Sequence, residues 1–491
     1  MRNKLLIICL LVAANLSAQE SFEEYRNRLK KDFTEFKSNV KEDYDKFRQQ
    51  IMKDYCGMLK KAWDDMKAFQ GKPMPEEKRV PPVVIPKEER KEPVFEKPRP
   101  IELVIRPQQP KTRPVPLIEP KPLVKLPSPY SFKFFGTDFD VDVKKESLPF
   151  LNGNDRDAVS DYWEKISDRK YDGIVETCIK ARKNKGLCDW AYLLMLRDMA
   201  NSVYSGKPNE AALLMAYIYS RSGYQMRLAF TDTGNICILY SSEHTIYNKS
   251  YWKVDGVKYY AMDYDGDNIK FCNASFPQEK PLSLIIDEQP QLSVSSTNKR
   301  TLAARDYNVK AEVYSNDNII KFFDTYPASC INDDFATKWI MYANTPIDKA
   351  TSESLYPALR QSIQGCSKKE AAERLLNFVQ TAFEYEYDDK VWGYDRAFFA
   401  EETLYYPYCD CEDRSILFSH LVRDLLGLKA VLIYYPGHLA TAVNFENSVN
   451  GDYVMVDNVK YTICDPTYIG APIGMTMPGM DNSKCKVIML Q

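Results

Sequence analysis

YWKVDGVKYYAMD (251–263) and YVMVDNVKYTICD (453–465) are one pattern written twice. Tyr251 matches Tyr453, Val254 matches Val456, Asp255 matches Asp457, Val257 matches Val459, Lys258 matches Lys460, Tyr259 matches Tyr461 and Asp263 matches Asp465, all at an offset of 202. Each copy reads as a strand, a two-residue Asp-Gly or Asp-Asn turn, and a second strand. Seven identities held in one phase favour duplication over chance recurrence of a hairpin. Upstream, NEAALLMAYIYSRSGYQMRLAF (209–230) resembles CEDRSILFSHLVRDLLGLKAVLIYY (411–435). In both, an acidic start leads into a helical apolar pattern, a glycine (Gly223, Gly427) ends it, and a β-rich run follows. Helix then strands, twice over, predicts an α+β chain with two domains at about 131–284 and 285–491, each a helix packed on an antiparallel sheet.

Three further segments precede those domains. Residues 1–18 carry Arg2 and Lys4, an apolar run from Leu5 to Ala14, and small residues at Ser17 and Ala18, the pattern of a secretory signal peptide. The run is too short to span a bilayer and no other stretch is long enough, so the expectation is an exported protein, periplasmic or extracellular, with no transmembrane segment. Residues 19–70 repeat every eleven: FEEYRNRLKKD (22–32), FTEFKSNVKED (33–43), YDKFRQQIMKD (44–54) and a weaker YCGMLKKAWDD (55–65). Eleven residues in three turns keep the apolar stripe on one face of a nearly straight amphipathic helix. That face must be buried, on the protein's own domains, on a second copy in a homo-oligomer, or on another partner. Residues 71–130 hold sixteen of the 29 prolines and read as an extended, semi-rigid linker.

Charge and cysteine usage set outer bounds. With 66 Lys+Arg against 68 Asp+Glu, the net charge of −2 gives no electrostatic reason for nucleic-acid binding. Of the 12 cysteines, Cys9 falls in the signal peptide, and the remaining odd number in an oxidising compartment leaves at least one thiol unpaired within the chain. Their spacing specifies no disulfide connectivity. Only His244, His420 and His438 can supply an imidazole.

Those few histidines focus the chemistry on the second copy. Cys411 opens the predicted helix 411–426, where backbone N–H groups and the helix dipole are expected to lower a thiol pKa. His438 follows Pro436-Gly437 on a strand, and Asp465 ends the repeated hairpin in CDPTY. A thiol nucleophile needs an imidazole to take its proton, and the imidazole needs a carboxylate on its other nitrogen. A zinc site of Cys409, Cys411, Cys464 and His438 competes with that reading, but C-x-C is not the usual zinc spacing and Asp465 would be idle. No metal and no cofactor is expected. His420, nine residues after Cys411, reads as structural, and His244 as a displaced relic of the second copy's histidine. In the first copy Pro208 stands where the second has Cys411.

C-E-D-R-S at a helix start, G-L-K-A-V at its end, a strand histidine and a strand D-P-T resemble the transglutaminase-like superfamily of papain-related folds. The resemblance covers about Ser367 to Thr467, including the helix SKKEAAERLLNFVQTAFEYEY, and more faintly the first copy. It implies Cys411 as nucleophile, His438 as general base and Asp465 as its partner, with Asp413 a structural cap. It further implies a cysteine peptidase or amidase working through a thioester on a peptide or protein substrate, cell-wall peptide among them. Cys409, where the superfamily often has glycine, competes as nucleophile, and Leu439-Ala440 replaces a small-aromatic pair. The rival expectation is a non-catalytic peptide- or glycan-binding scaffold built on a degenerate copy of that fold.

Overall fold

Both Asp-led turns close hairpins of one register. Trp252 faces Tyr259 and Val254 faces Val257; in the second, Val454 faces Tyr461 and Val456 faces Val459. Asp255 and Gly256 sit at φ of 49° and 84°, Asp457 and Asn458 at 51° and 62°. Two successive left-handed residues make the turn whose twist matches that of the strands, which is why Asp, Asn and Gly occupy it. The computed structural model describes residues 22–61, 63–76, 78, 80–86, 89, 104–107, 113–122, 129–445 and 449–491. The segment 1–18, read as a signal peptide, lies outside them.

The hairpins belong to two sheets of matching order. The first runs Asn268–Cys272, Met226–Thr231, Ile236–Ser241, Val257–Ala261, Trp252–Val254; the second runs Lys486–Met489, Lys429–Tyr435, His438–Asn444, Val459–Cys464, Tyr453–Val456. Neighbours in these five-strand series are antiparallel. The helix Pro208–Arg221 packs on the first sheet and Cys411–Leu426 on the second. The latter ends at Gly427 with φ of 64°, a left-handed cap that costs glycine little. The chain is α+β, with helices between and upon antiparallel sheets.

One large core joins the two halves. It runs from Trp163, Leu193 and Tyr217 in the first to Ile416, Leu432 and Ile488 in the second. Each fully buried large apolar side chain contributes roughly 1.5–3 kcal/mol of transfer free energy. Smaller cores lie under the outer face of each sheet.

The head departs from its expected extent. Its helix spans Phe22–Leu59, and Asp64–Lys67 is a strand antiparallel to Asn268–Cys272. The fourth repeat is the weakest, and the sheet edge offers its backbone groups a ladder that a helix extension would forgo. The apolar stripe has two fates. Met52, Tyr55 and Leu59 are buried, Tyr55 against Trp163 with ring centroids 4.7 Å apart, whereas Leu29, Phe33, Phe36 and Val40 are exposed. Arg48 marks the boundary, buried and paired with Asp172 at 3.0 Å. Asp172 also meets Arg221 at 3.4 Å.

The proline-rich segment is more than a spacer. Val83–Val84 runs parallel to Tyr468–Ile469, and Val104–Ile105 adds a parallel strand to Lys486–Met489. Each sheet therefore gains its outermost strand from the 64–105 stretch.

Candidate active site

Asp410 and Asp413 fix where the helix of Cys411 begins. Asp410 Oδ1 accepts the Glu412 N–H at 3.2 Å, and the Asp410 N–H donates to Asp413 Oδ2 at 3.1 Å. This reciprocal box is worth about 1 kcal/mol and makes Cys411 the first helical residue. The other Asp413 oxygen accepts the Phe398 N–H at 2.9 Å, so this buried carboxylate is the structural cap expected of it. Opposite, Tyr435 and His438 close a two-residue turn through Pro436 and Gly437, which starts His438 on its strand.

The strand of His438 and the helix of Cys411 are held together by side-chain hydroxyls. Ser415 Oγ donates to the Leu439 carbonyl at 2.8 Å, and Thr441 Oγ1 donates to the Ser415 carbonyl at 3.2 Å. The Leu439 N–H points at the Cys411 sulfur and favours its thiolate. His438 Nε2 lies 2.8 Å from Asp465 Oδ2, with both residues buried. Asp465 Oδ1 accepts the N–H groups of Thr467 at 2.8 Å and Tyr468 at 3.2 Å, which leaves Oδ2 for the imidazole. An ionised Asp465 keeps the proton on Nε2, so Nδ1 is the basic nitrogen, and Nδ1 is buried with no hydrogen-bond partner. His438 and Asp465 are thus paired, and Cys411 lies against the backbone of Leu439, the residue that follows His438.

Two supports have no signature in the sequence. Gln380 Nε2 lies 3.1 Å from the carbonyl oxygen of Asp465, 2.9 Å from that of Tyr468 and 3.2 Å from that of Ala471, and its Oε1 accepts the Gly470 N–H at 3.2 Å. One buried amide therefore latches the loop that carries Asp465. Arg414, fully buried, donates to the carbonyls of Gln380 at 3.2 Å and Phe383 at 2.8 Å. Only the position of Gln380 on the inward face of its predicted helix hinted at burial.

Before the thiol lies a cleft of about 910 Å³, lined by Cys411, Tyr385, Asp388, Asp395 and Glu412 on one wall and by Met74, Glu76 and Lys78 on the other. Its floor is acidic. Burial first, then the charges of Asp413 and Glu412, push the Asp388 carboxyl up to about 9. The oxygens of Asp388, Asp395 and Glu412 lie within 4.8 Å of one another, a spacing open to a cation. The Lys338 ammonium is already there, 3.2 Å from Asp395 and 3.4 Å from Glu412. Burial works against its charge, yet Glu412 and Asp395 hold its pKa above the ordinary lysine value.

This floor overturns the expected activation of Cys411. Burial, followed by the charges of Asp410 and Glu412, raises the thiol pKa well above its ordinary value. The helix dipole, equivalent to roughly half a charge, is outweighed by the loss of solvation and then by the carboxylates at the same helix start.

The competing assignments separate in space. Cys409 accepts from Arg414 Nε at 3.5 Å and lies against the Glu384 carbonyl at 3.8 Å, away from the cleft. Burial pushes its thiol up to about 11. Among the described residues, no three of Cys409, Cys411, Cys464 and His438 bring their ligand atoms within 4.8 Å of one another. All the described cysteines are free thiols. His420 is buried, and that burial pulls its pKa down to about 3, as suits a neutral core imidazole.

In the first sheet, Pro208 begins the helix, and Thr231 pairs with Asn235 as Tyr435 pairs with His438. Asp263, opposite Asp465 in the sequence repeat, takes φ of 56° and pairs with Arg197 at 3.3 Å. Pro208, Asn235 and Asp263 hold the three places, with no thiol and no imidazole. His244 is elsewhere, on the short strand His244–Ile246 against Ser329–Ile331. The relic reading of His244 is therefore corrected: it is not the counterpart of His438. The chain matches no protein-family model, and no curated protein and no solved structure matches it.

Proposed function

We propose that this chain is an exported thiol hydrolase of transglutaminase-like type, a cysteine peptidase or amidase that opens peptide amide bonds through a thioester on Cys411. The observation that carries the reading is His438, held by Asp465 at 2.8 Å through one ring nitrogen, with its other buried nitrogen unpartnered and the next residue, Leu439, against Cys411. That arrangement is a base waiting for a proton.

The raised thiol pKa sets the order of events. Cys411 rests as a thiol, and His438 Nδ1 takes its proton as the sulfur attacks the amide carbonyl carbon. The backbone N–H of Cys411, first in its helix, would donate to the resulting oxyanion. As the C–N bond breaks, His438 returns the proton to the leaving amine. Water then gives a proton to His438 and its oxygen to the thioester, releasing the acid and the thiol. Asp465 remains ionised and holds the imidazole throughout. The first copy contributes packing, and the exposed face of Leu29, Phe33, Phe36 and Val40 is where a second copy or another partner would dock.

Alkylation with iodoacetamide, followed by mapping of the modified residue, tests this. Labelling of Cys411 is expected to depend on His438, and His438→Ala to slow it by on the order of 10²-fold, within the range general-base assistance supplies. Labelling of Cys411 at the same rate in both proteins would sink the reading. A binding or scaffold role is the second reading, favoured by the acidic floor that holds the thiol neutral.

A further inference from the structure

The described residues of the 71–86 stretch border the cleft and are tied down at both ends of the stretch. At the first-copy end Phe69 stacks on Tyr251 with ring centroids 5.5 Å apart, the Asn248 N–H donates to the Lys72 carbonyl at 2.9 Å, and the Met74 N–H donates to Asn248 Oδ1 at 3.2 Å. At the other end Val83 and Val84 pair in parallel with Tyr468 and Ile469, the Ile85 N–H donates to the Ile469 carbonyl at 2.9 Å, and Ile85 packs with Tyr468, Ala471 and Met477. Between these anchors Met74, Pro75, Glu76, Lys78 and Val80 form one wall of the cleft whose opposite wall holds Cys411. The Lys78 carbonyl sits on Gly437, next to His438, where a β-carbon would overlap it. Gly437, at φ of 80°, is required both for its turn and for this approach.

The segment lies as a bound peptide lies. It is extended, its φ angles are restrained by Pro73, Pro75, Pro81 and Pro82, and it adds a strand beside the loop that carries Asp465. Its central part passes a catalytic turn while its main-chain hydrogen bonds sit at the ends.

From this geometry we propose that the cleft before Cys411 is a groove for an extended peptide, one that pairs in parallel with Tyr468–Ile469 and passes over Gly437, and that the chain's own segment, which takes that pairing and borders the cleft, is a displaceable cover over it. The proposal rests on the thiol-hydrolase reading for its chemistry, but the groove and its cover are independent of whether Cys411 turns over. Lifting the cover would widen the approach to Cys411.

The full-length double variant Val83→Asp/Ile85→Asp removes the apolar anchor at the Asp465 end. Alkylation of Cys411 by iodoacetamide at neutral pH should then be about ten-fold faster or more, the factor for a cover seated roughly nine-tenths of the time. A synthetic peptide of residues 71–86, added in excess, should restore the slow rate. An unchanged rate in the folded variant, or a fast rate the peptide leaves untouched, overturns the proposal. Should the variant fail to fold, hydrogen exchange on the wild-type protein decides. The Ile85 amide should exchange faster when the peptide is added, and unaltered exchange overturns the proposal. Adding His438→Ala separates the two readings. Faster labelling on unpinning without dependence on His438 keeps the cover and removes the catalyst. Dependence on His438 with no effect of unpinning does the reverse.

Discussion

The two sheets share strand order and hairpin register, yet only one carries the candidate Cys-His-Asp set. The second begins its helix with Cys411 and its strand with His438; the first puts Pro208 and Asn235 in those places. Proline is a favourable first helical residue because it has no N–H to leave orphaned, so the first copy gains a sound helix start where the second keeps a thiol. Their acidic partners differ too. Asp465 is buried and held by two backbone N–H groups, whereas Asp263 is turned to the solvent-facing Arg197. A shared scaffold places the groups, and the local burial decides whether they can react.

Making the second copy resemble the first is the strongest way to break this contrast. His438→Asn should lower amide hydrolysis and Cys411 labelling by on the order of 10³-fold or more while the thermal transition stays in place, since triad removal acts on the transition state. The converse pair, Pro208→Cys with Asn235→His, should give a thiol that labels no faster than a free cysteine, because Asp263 cannot orient the new imidazole. Fast labelling there would mean that burial of the acid is dispensable.

A contrast in stability comes next. Asp172, paired with Arg48 and Arg221, is buried in the first copy and ties the head helix to it. Asp172→Asn leaves two arginines without their carboxylate and should cost about 3–5 kcal/mol. Urea unfolding checks this, and a loss under 1 kcal/mol would show that water reaches the site.

The smallest effect concerns pH and belongs to the second copy. Burial pushes Glu401 up to about 8, with one oxygen unpartnered and the other accepting from Gln289 at 2.9 Å. The folded pKa exceeds the unfolded one, so the stabilising share is complete below the ordinary carboxylate range and is lost as pH rises towards about 8. Stability should fall between pH 5.5 and 8 by up to roughly 1.4 kcal/mol per unit, and Glu401→Gln should flatten that slope. An identical slope in the variant would place the titration on other carboxyls.

Hairpin register and the helix-then-strands order were legible because turns and periodicity are local properties. Asp255-Gly256 and Asp457-Asn458 can hardly be anything but left-handed turns. The head helix was legible in its period but not in its end, since the strand Asp64–Lys67 exists only because a sheet edge 200 residues away needs a partner. The candidate triad was assembled from residue types in a familiar order, whereas Gln380 and Arg414, which grip the loop and helix around it, look like any buried polar side chains on a helix.

The sequence by itself determined which residues could do chemistry and which copy lacked them, because a thiol or an imidazole is either present or absent at a position. Only the tertiary structure decided how those groups behave. The helix start that favours a thiolate in isolation is buried, and that desolvation first, then the neighbouring Asp410 and Glu412, makes the thiol pKa rise instead of falling. The proline-rich stretch that reads as a spacer becomes the wall of the cleft for the same reason. Burial and proximity are set by residues far apart in the chain, and no local pattern encodes them.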